Sequence, residues 1–357
     1  MAEGRPAPSV IITASRFPRR FPWRFPHFPE WIDLPAVGNL ILVPRLIVNA
    51  DDFGLAPGVN RAILELHAAE VLTSATLMAQ AASTEEAVKM ALAMPTLGVG
   101  CHVVLVDGTP VSDKRAISSL IDRATGLFYP TLSSFLTRLF TARIRSAEVE
   151  AEAAAQIALL QSFGIRLTHI DTHKHLHMFP GILRPVLRAA KSAGIHAIRN
   201  PFEPIWSLNA TADAPDVRRA EIVLLRRFES RFRRIVKEEG FETTDGAVGV
   251  LATGSVKIAT VRALITAMPE GTFELASHPG YRDEQLARAN TRLLESREIE
   301  RNALMAIKDY RGIDLISFAS LGRPATTERP PEAAEITGFA SSPGTETSNQ
   351  TGHIPEP

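Results

Sequence analysis

The chain has 357 residues, 45% apolar and 22% charged, an ordinary globular composition with length for one large or two ordinary domains. A formal net charge of zero supplies no global field to draw in nucleic acid or an anionic surface. The single cysteine, Cys101, excludes an intramolecular disulfide and a cysteine-rich zinc site, and reads as a small buried hydrophobe.

Residues 1–40 repeat Phe-Pro with interspersed arginine, from Arg16-Phe17-Pro18 to Phe28-Pro29. Proline at that density blocks helices and central strands, so a disordered extension is expected. The alternative is a basic, aromatic arm for a membrane surface or a partner. Short β-rich runs then alternate with longer amphipathic ones. Leu46–Ala50 reads as a buried strand, 58–69 as a helix with Val59, Ile63 and Leu66 at helical spacing, 74–78 as a strand and 84–93 as a helix. A third strand over 97–104 precedes an irregular region near 107–135. Helix 147–163 stops at Gly164, strand 167–171 follows, and helix 181–193 ends near Gly194. Strands at 196–199, 272–277 and 314–319 complete the pattern. Residues 324–357, rich in Pro, Thr, Ser and Glu, are expected to be disordered. The alternation predicts a single α/β domain over 44–322 with a parallel sheet, closed into a barrel at this length, although a doubly wound sheet gives a similar pattern. No apolar run approaches the roughly 18 residues that span a bilayer, and Val10-Ile11-Ile12 is too short for a signal core, so a cytoplasmic location is expected.

Four of the ten histidines fall in the run Thr168-His169-Ile170-Asp171-Thr172-His173-Lys174-His175-Leu176-His177. The alternation would bring His169, Asp171, His173, His175 and His177 to one side of an extended backbone. Imidazole and carboxylate without thiolate suit a borderline divalent cation. A second signal is Val48-Asn49-Ala50-Asp51-Asp52-Phe53-Gly54, two adjacent carboxylates after an apolar strand. Such a pair repels itself unless a cation or a raised pKa compensates, and it allows one carboxylate to bind metal while the other takes a proton from water. A helix N-cap is the plainer alternative. His102 ends a third strand and His278, in Ser277-His278-Pro279-Gly280, a fourth. The convergence at four strand ends is stronger than any one signal. His173 and His177 have the spacing of a helical zinc-protease motif, but Lys174 stands where the essential glutamate belongs. Nucleotide loops and serine elbows are absent.

These motifs resemble the YdjC/ChbG carbohydrate deacetylases: Asn-Ala-Asp-Asp-Phe-Gly at 49–54, Gly-x-His at 100–102, His-x-Asp-x-His-x-His-x-His at 169–177 and His-Pro-Gly at 278–280, in the family's order over about 44–322. Within the family the chain is most similar to the hopanoid-biosynthesis branch, HpnK, through 104–108, 198–204 and the basic stretch near 217–237. The resemblance implies an irregular (β/α) barrel of the YdjC/NodB-like deacetylase type that hydrolyses the N-acetyl group of an acetylated amino sugar. It implies one divalent metal ion, magnesium or zinc, held by Asp52, His102 and His173, with Asp51 as general base and His278 as general acid. Asp171 would orient an imidazole, and His175 and His177 would be orienting partners or substrate contacts. Arg199, at a strand end, either binds a sugar hydroxyl or product carboxylate or forms a surface ion pair. Asp245 occupies a substrate-side loop position by the same resemblance.

Residues 216–239 combine arginines with apolar residues, and such an amphipathic helix either lies on an anionic bilayer, giving peripheral contact with the inner membrane, or turns a stripe to the core. The expected partner is an acetylated amino sugar or glycolipid, plausible forms being an N-acetylglucosaminyl hopanoid and a chito-oligosaccharide; a homodimer is a further expectation. The rival readings are a metal phosphoesterase and a non-catalytic sugar- or lipid-binding protein.

Overall fold

A computed structural model describes residues 43–211 and 213–321; both expected disordered tails, 1–40 and 324–357, lie outside the described residues. The chain starts with β1 (Arg45–Phe53), α1 (Pro57–Ala68), β2 (Ser74–Leu77), α2 (Thr84–Ala93) and β3 (Gly98–Val103). Pro57 opens α1 at the one turn where its missing N–H costs nothing. A short hairpin, β4 (Ile121–Asp122) and β5 (Leu127–Phe128), then leads through α3 (Leu132–Phe140) to α4 (Ser146–Ser162). The histidine run divides between β6 (His169–Thr172) and tight turns over His173–Met178, followed by α5 (Pro180–Ser192). After α6 (Ile205–Ala210), the basic stretch forms α7 (Asp216–Leu225) and α8 (Glu229–Glu239), with β7 (Gly246–Val248) beyond. The described chain closes with α9 (Ile258–Ala267), β8 (Thr272–Ser277), α10 (Glu284–Arg288), α11 (Ser296–Met305) and β9 (Asp314–Leu315).

The main sheet runs β6-β3-β2-β1-β8-β7, with β9 also on β1, and each of these pairings is parallel. The expected strand at 196–199 is reduced to bridges at Ala197 and Ile198. That segment still carries the curled sheet round: Arg199 N–H donates to Ile170 on one side, while Ile198 N–H reaches Glu242 and Ala247 N–H reaches Phe202 on the other. The architecture is therefore the irregular barrel, with regular strands over most of the ring and irregular backbone at the seam.

Strand alternation sorts the core into two parts. Leu46, Val48 and Ala50 face outward into the main apolar layer beneath the helices. Ile47 faces inward and packs with Ala197 and Phe318. The His169 ring stacks on Phe318 at 3.9 Å, so this part of the barrel interior is closed by side chains. Gly100 on the neighbouring strand makes room for it, because a Cβ there would meet the His169 ring at 2.5 Å. Polar residues also organise the irregular region after β3. On α4, Glu148, Glu152 and Gln156 recur at helical spacing and are buried. Gln156 pairs with both the N–H and the carbonyl of Val104, Glu152 accepts from Val111 and Ser112 N–H, and Glu148 accepts from Ser119 N–H.

The basic stretch is not one continuous amphipathic helix. A tight turn at Arg226–Phe228 breaks it. Arg218 donates to the Val250 carbonyl, Arg226 to that of Glu203 and Arg233 to that of Asp245. Phe232, Ile235 and Val236 turn inward, while Val217, Val223 and Leu224 stay exposed. No helix of the described residues is long and apolar enough to cross a membrane.

Candidate active site

The site forms where β1 breaks its own alternation. Adjacent residues of a regular strand point to opposite faces, which would separate Asp51 from Asp52. Here Ala50 pairs with Ala75 but Phe53 with Leu77, so β1 carries one extra residue, and Asp52 takes a left-handed backbone (φ 63°). This bulge brings both carboxylates to the same centre.

Asp52 Oδ1, His102 Nε2 and His173 Nδ1 face one another across separations of 3.6, 3.4 and 3.2 Å. Ligands about 2.1 Å from a shared ion at tetrahedral angles stand about 3.4 Å apart, so the triangle fits a metal. Two further observations agree. Asp52 Oδ1 is buried without a hydrogen-bond partner, because Arg297 engages the other oxygen, Oδ2, at 2.6 Å. Asp171 Oδ1 lies 2.8 Å from His102 Nδ1, and a proton held there leaves the Nε2 lone pair for the triangle. Burial favours neutral His102, but the charge of Asp171 and its hydrogen bond outweigh this and push the imidazole up to about 9. A cation at Nε2 would replace the second proton that this anionic setting attracts. A second group, Asp51, His102 and Asp171, also has donor atoms close together. Its carboxylates are already engaged by Arg199, which makes it a hydrogen-bonded support.

Asp51 accepts from both terminal nitrogens of Arg199 at 2.6 and 2.8 Å, and from Asn49 Nδ2 at 3.0 Å. Burial alone would raise its pKa, but the Arg199 charge and hydrogen bonds hold the carboxyl well below its ordinary range. Asp52 is likewise held low, with burial opposed by Arg297 and His173. His278 Nε2 stands 3.7 Å from Asp51 Oδ2. The side chains of His173 and His278 are 21% and 14% exposed, against 5% or less for Asp51, Asp52 and His102, so the centre opens on their side.

Several sequence expectations change. Arg199 is no surface ion pair: its side chain is 0% exposed and also engages Asp171 and Glu274. His169 to His177 do not share one extended face, since β6 ends at Thr172 and Lys174 and His175 are left-handed. His175 and His177 fall outside the triangle. The His177 Nδ1 and backbone N–H are held on Thr172 Oγ1 at 2.8 and 3.0 Å. Burial, then the Arg199 charge, lowers His175 to about 3. Asp245 accepts from Thr272 N–H, at the start of β8, whereas His278 follows that strand's far end; it caps the opposite end of the barrel. Cys101 is buried as expected.

Glu274, Arg297 and Glu300 also reach this centre, and none belongs to the motifs that the sequence marks. Glu274 follows the alternation of β8 inward, which the strand pattern alone could have suggested. Arg297 and Glu300 lie in Ser296-Arg297-Glu298-Ile299-Glu300-Arg301, which reads as a solvated helix and carries no local signal.

A family model described as YdjC-like protein matches residues 45–308. A carbohydrate deacetylase of Brevibacillus brevis is 32% identical over 284 residues, covering 78% of this chain and all of the relative. A chitooligosaccharide deacetylase of Salmonella paratyphi C is 31% identical, covering 77% of this chain and 98% of its own. Among solved structures, an Enterococcus faecalis protein named for cellobiose-phosphate cleavage superposes with a TM-score of 0.62 at 26% identity, covering 78% of this chain and 98% of that one. With the matched region spanning β1 to β8 and every residue of the triangle, the chain belongs to the YdjC-like family.

Proposed function

We propose that the protein is a metal-dependent carbohydrate N-deacetylase, with the divalent cation held by Asp52, His102 and His173. The observation that carries this reading is the buried, unpartnered Asp52 Oδ1 facing two imidazole nitrogens, beside Asp51 and His278. Around this centre the buried carboxylates Asp51, Asp52, Asp171 and Glu274 meet two guanidinium groups, Arg199 and Arg297. That excess of acid favours a cation.

A divalent ion in the triangle supplies Lewis acidity to the acetamide carbonyl and acidifies water. Asp51 remains ionised and accepts the proton of the attacking water. Arg199 weakens Asp51 as a base, which makes that transfer dependent on the acidity of the water. Attack forms the new C–O bond at the expense of the carbonyl π bond; as the carbonyl re-forms the C–N bond breaks, and His278 Nε2 delivers a proton to the departing amine. Acetate and the free amino sugar result. Relatives named as carbohydrate and chitooligosaccharide deacetylases support the substrate class. The narrower substrate is either a chito-oligosaccharide or the N-acetylglucosaminyl head of a hopanoid.

Acetate release from chitobiose, N-acetylglucosamine and N-acetylglucosaminyl bacteriohopanetetrol tests both levels. Chelation should abolish release, and zinc or magnesium should restore it. Asp51→Asn should lower turnover by about 10²–10⁴-fold with metal content retained. Release unaffected by chelation removes the cation from the mechanism, and full turnover of Asp51→Asn removes Asp51 as base. Absence of release from all three compounds would count against the deacetylase reading.

A further inference from the structure

The side chains of Arg297 and Glu300, three residues apart on α11, are both buried completely, an unusual state for charged groups on one short helix. Each is directed to a different half of the centre. Arg297 donates to Asp52 Oδ2 at 2.6 Å and to the Leu293 carbonyl at 2.9 Å. Asp52 is thereby held with Oδ2 on the guanidinium and Oδ1 in the triangle. Glu300 accepts the His278 backbone N–H at 2.7 Å through Oε2 and the Gly254 N–H at 3.1 Å through Oε1. His278 Nδ1 is buried without a hydrogen-bond partner, 3.9 Å from Glu300 Oε2.

The same helix grips the turn that carries His278. Gly280 N–H donates to the Arg297 carbonyl at 3.2 Å. A Cβ on Gly280 would crowd the Arg297 side chain at 3.0 Å, which explains the glycine of His-Pro-Gly. Thus α11 fixes residues 278 and 280 and reaches Asp52, more than two hundred residues away in sequence.

We propose that Arg297 and Glu300 are positioning residues: Arg297 selects the Asp52 oxygen presented to the cation, and Glu300 sets the ring of His278 so that Nε2 faces the reacting atoms. The activity consequence rests on the deacetylase reading. The metal consequence does not.

The test uses the full chain, stripped of metal and loaded with Co(II), whose visible absorption reports ligand geometry. Arg297→Lys keeps the positive charge but loses the planar fork, and should change the cobalt spectrum while far-ultraviolet circular dichroism stays native. Glu300→Gln should leave that spectrum unchanged, lower kcat by about 10²-fold with KM within about threefold, and move the imidazole ¹⁵N shifts of His278. Should Glu300→Gln fail to fold, Glu300→Asp, which retains two acceptors one methylene further back, is measured in its place with the same split expected. A cobalt spectrum of Arg297→Lys superimposable on the parent overturns the first assignment. Unmoved His278 shifts, or an unchanged kcat, overturn the second. If the parent releases no acetate, the deacetylase reading fails while the cobalt and ¹⁵N comparisons still decide this proposal.

Discussion

At the scale of single residues, burial decides what each ionisable group does. His169 is shut into the barrel against Phe318, and burial followed by the Arg199 charge holds its pKa well below that of a free imidazole. The folded state therefore keeps it neutral. Below the ordinary histidine pKa of about 6.5 the unfolded chain takes up a proton that the fold refuses, and stability falls as pH falls. Glu203 works in the opposite sense: burial, opposed by N–H donors of Leu251 and Gly249 and by Ser207, pushes it up to about 7. Its contribution is present at acidic pH and is lost as pH rises from 4.5 through 7. Replacing His169 by Phe should flatten the acid side of the stability profile by a slope approaching about 1.4 kcal/mol per pH unit. Urea unfolding at pH 7 and pH 5 measures it. An identical slope in parent and variant would show that His169 does not titrate in this way.

At the scale of elements, α4 and the stretch 216–239 show how charged residues on a helix divide between structure and surface. Glu152 uses both oxygens on the backbone of the loop after β3, accepting from Val111 at 2.9 Å and Ser112 at 3.0 Å. Glu152→Ala removes the acceptor from these two half-buried donors and should cost about 1–3 kcal/mol. Hydrogen exchange should speed up at 104–119 before it does in the strands. Uniform protection across that segment would sink the account. The arginines of 216–239 are largely spent on carbonyls and nearby carboxylates, which leaves less free charge for an anionic bilayer than their sequence suggests. Exposed Val217, Val223 and Leu224 keep membrane contact as a proposal for this face. Removing the arginines without a change in liposome binding would dismiss it.

At the scale of the whole molecule, the barrel is tied at its centre by one guanidinium. Arg199, from the irregular seam, binds Asp51 of β1, Asp171 of β6 and Glu274 of β8. Burial, opposed mainly by Arg199, raises Glu274 to about 7, so part of the local charge is relieved by protonation. Arg199→Met would strand three carboxylates in the interior, and breaking a buried network of this kind costs about 3–5 kcal/mol or more. Thermal unfolding should show a large loss, with Arg199→Lys recovering only part because one ammonium cannot match the fork. A variant as stable as the parent would show that the knot carries no net stabilisation.

Outside the stretch 107–146, where the β4–β5 hairpin and α3 go unmarked, the strands and helices through residue 193 are legible from periodicity, because alternation and helical spacing are local properties of a buried face. So were the residues with chemistry to offer: Asp51, Asp52, His102, Asp171, His173 and His278 all stand at strand ends that the pattern marks. What the one-dimensional pattern could not contain was which of them meet. A bulge at Asp52 turns two neighbouring carboxylates to one centre, and a left-handed turn after His173 takes the later histidines out of it. For Arg199 the pattern leaves a substrate contact and a surface ion pair equally open, because its burial depends on the sheet curling round it. Arg297 and Glu300 were invisible for the same reason: their helix reads as solvated, and only its packing against the barrel removes them from water. The sequence determined the inventory of groups and their strands; the tertiary structure decided their pairings, since charge compensation in the interior acts between residues that the chain itself keeps far apart.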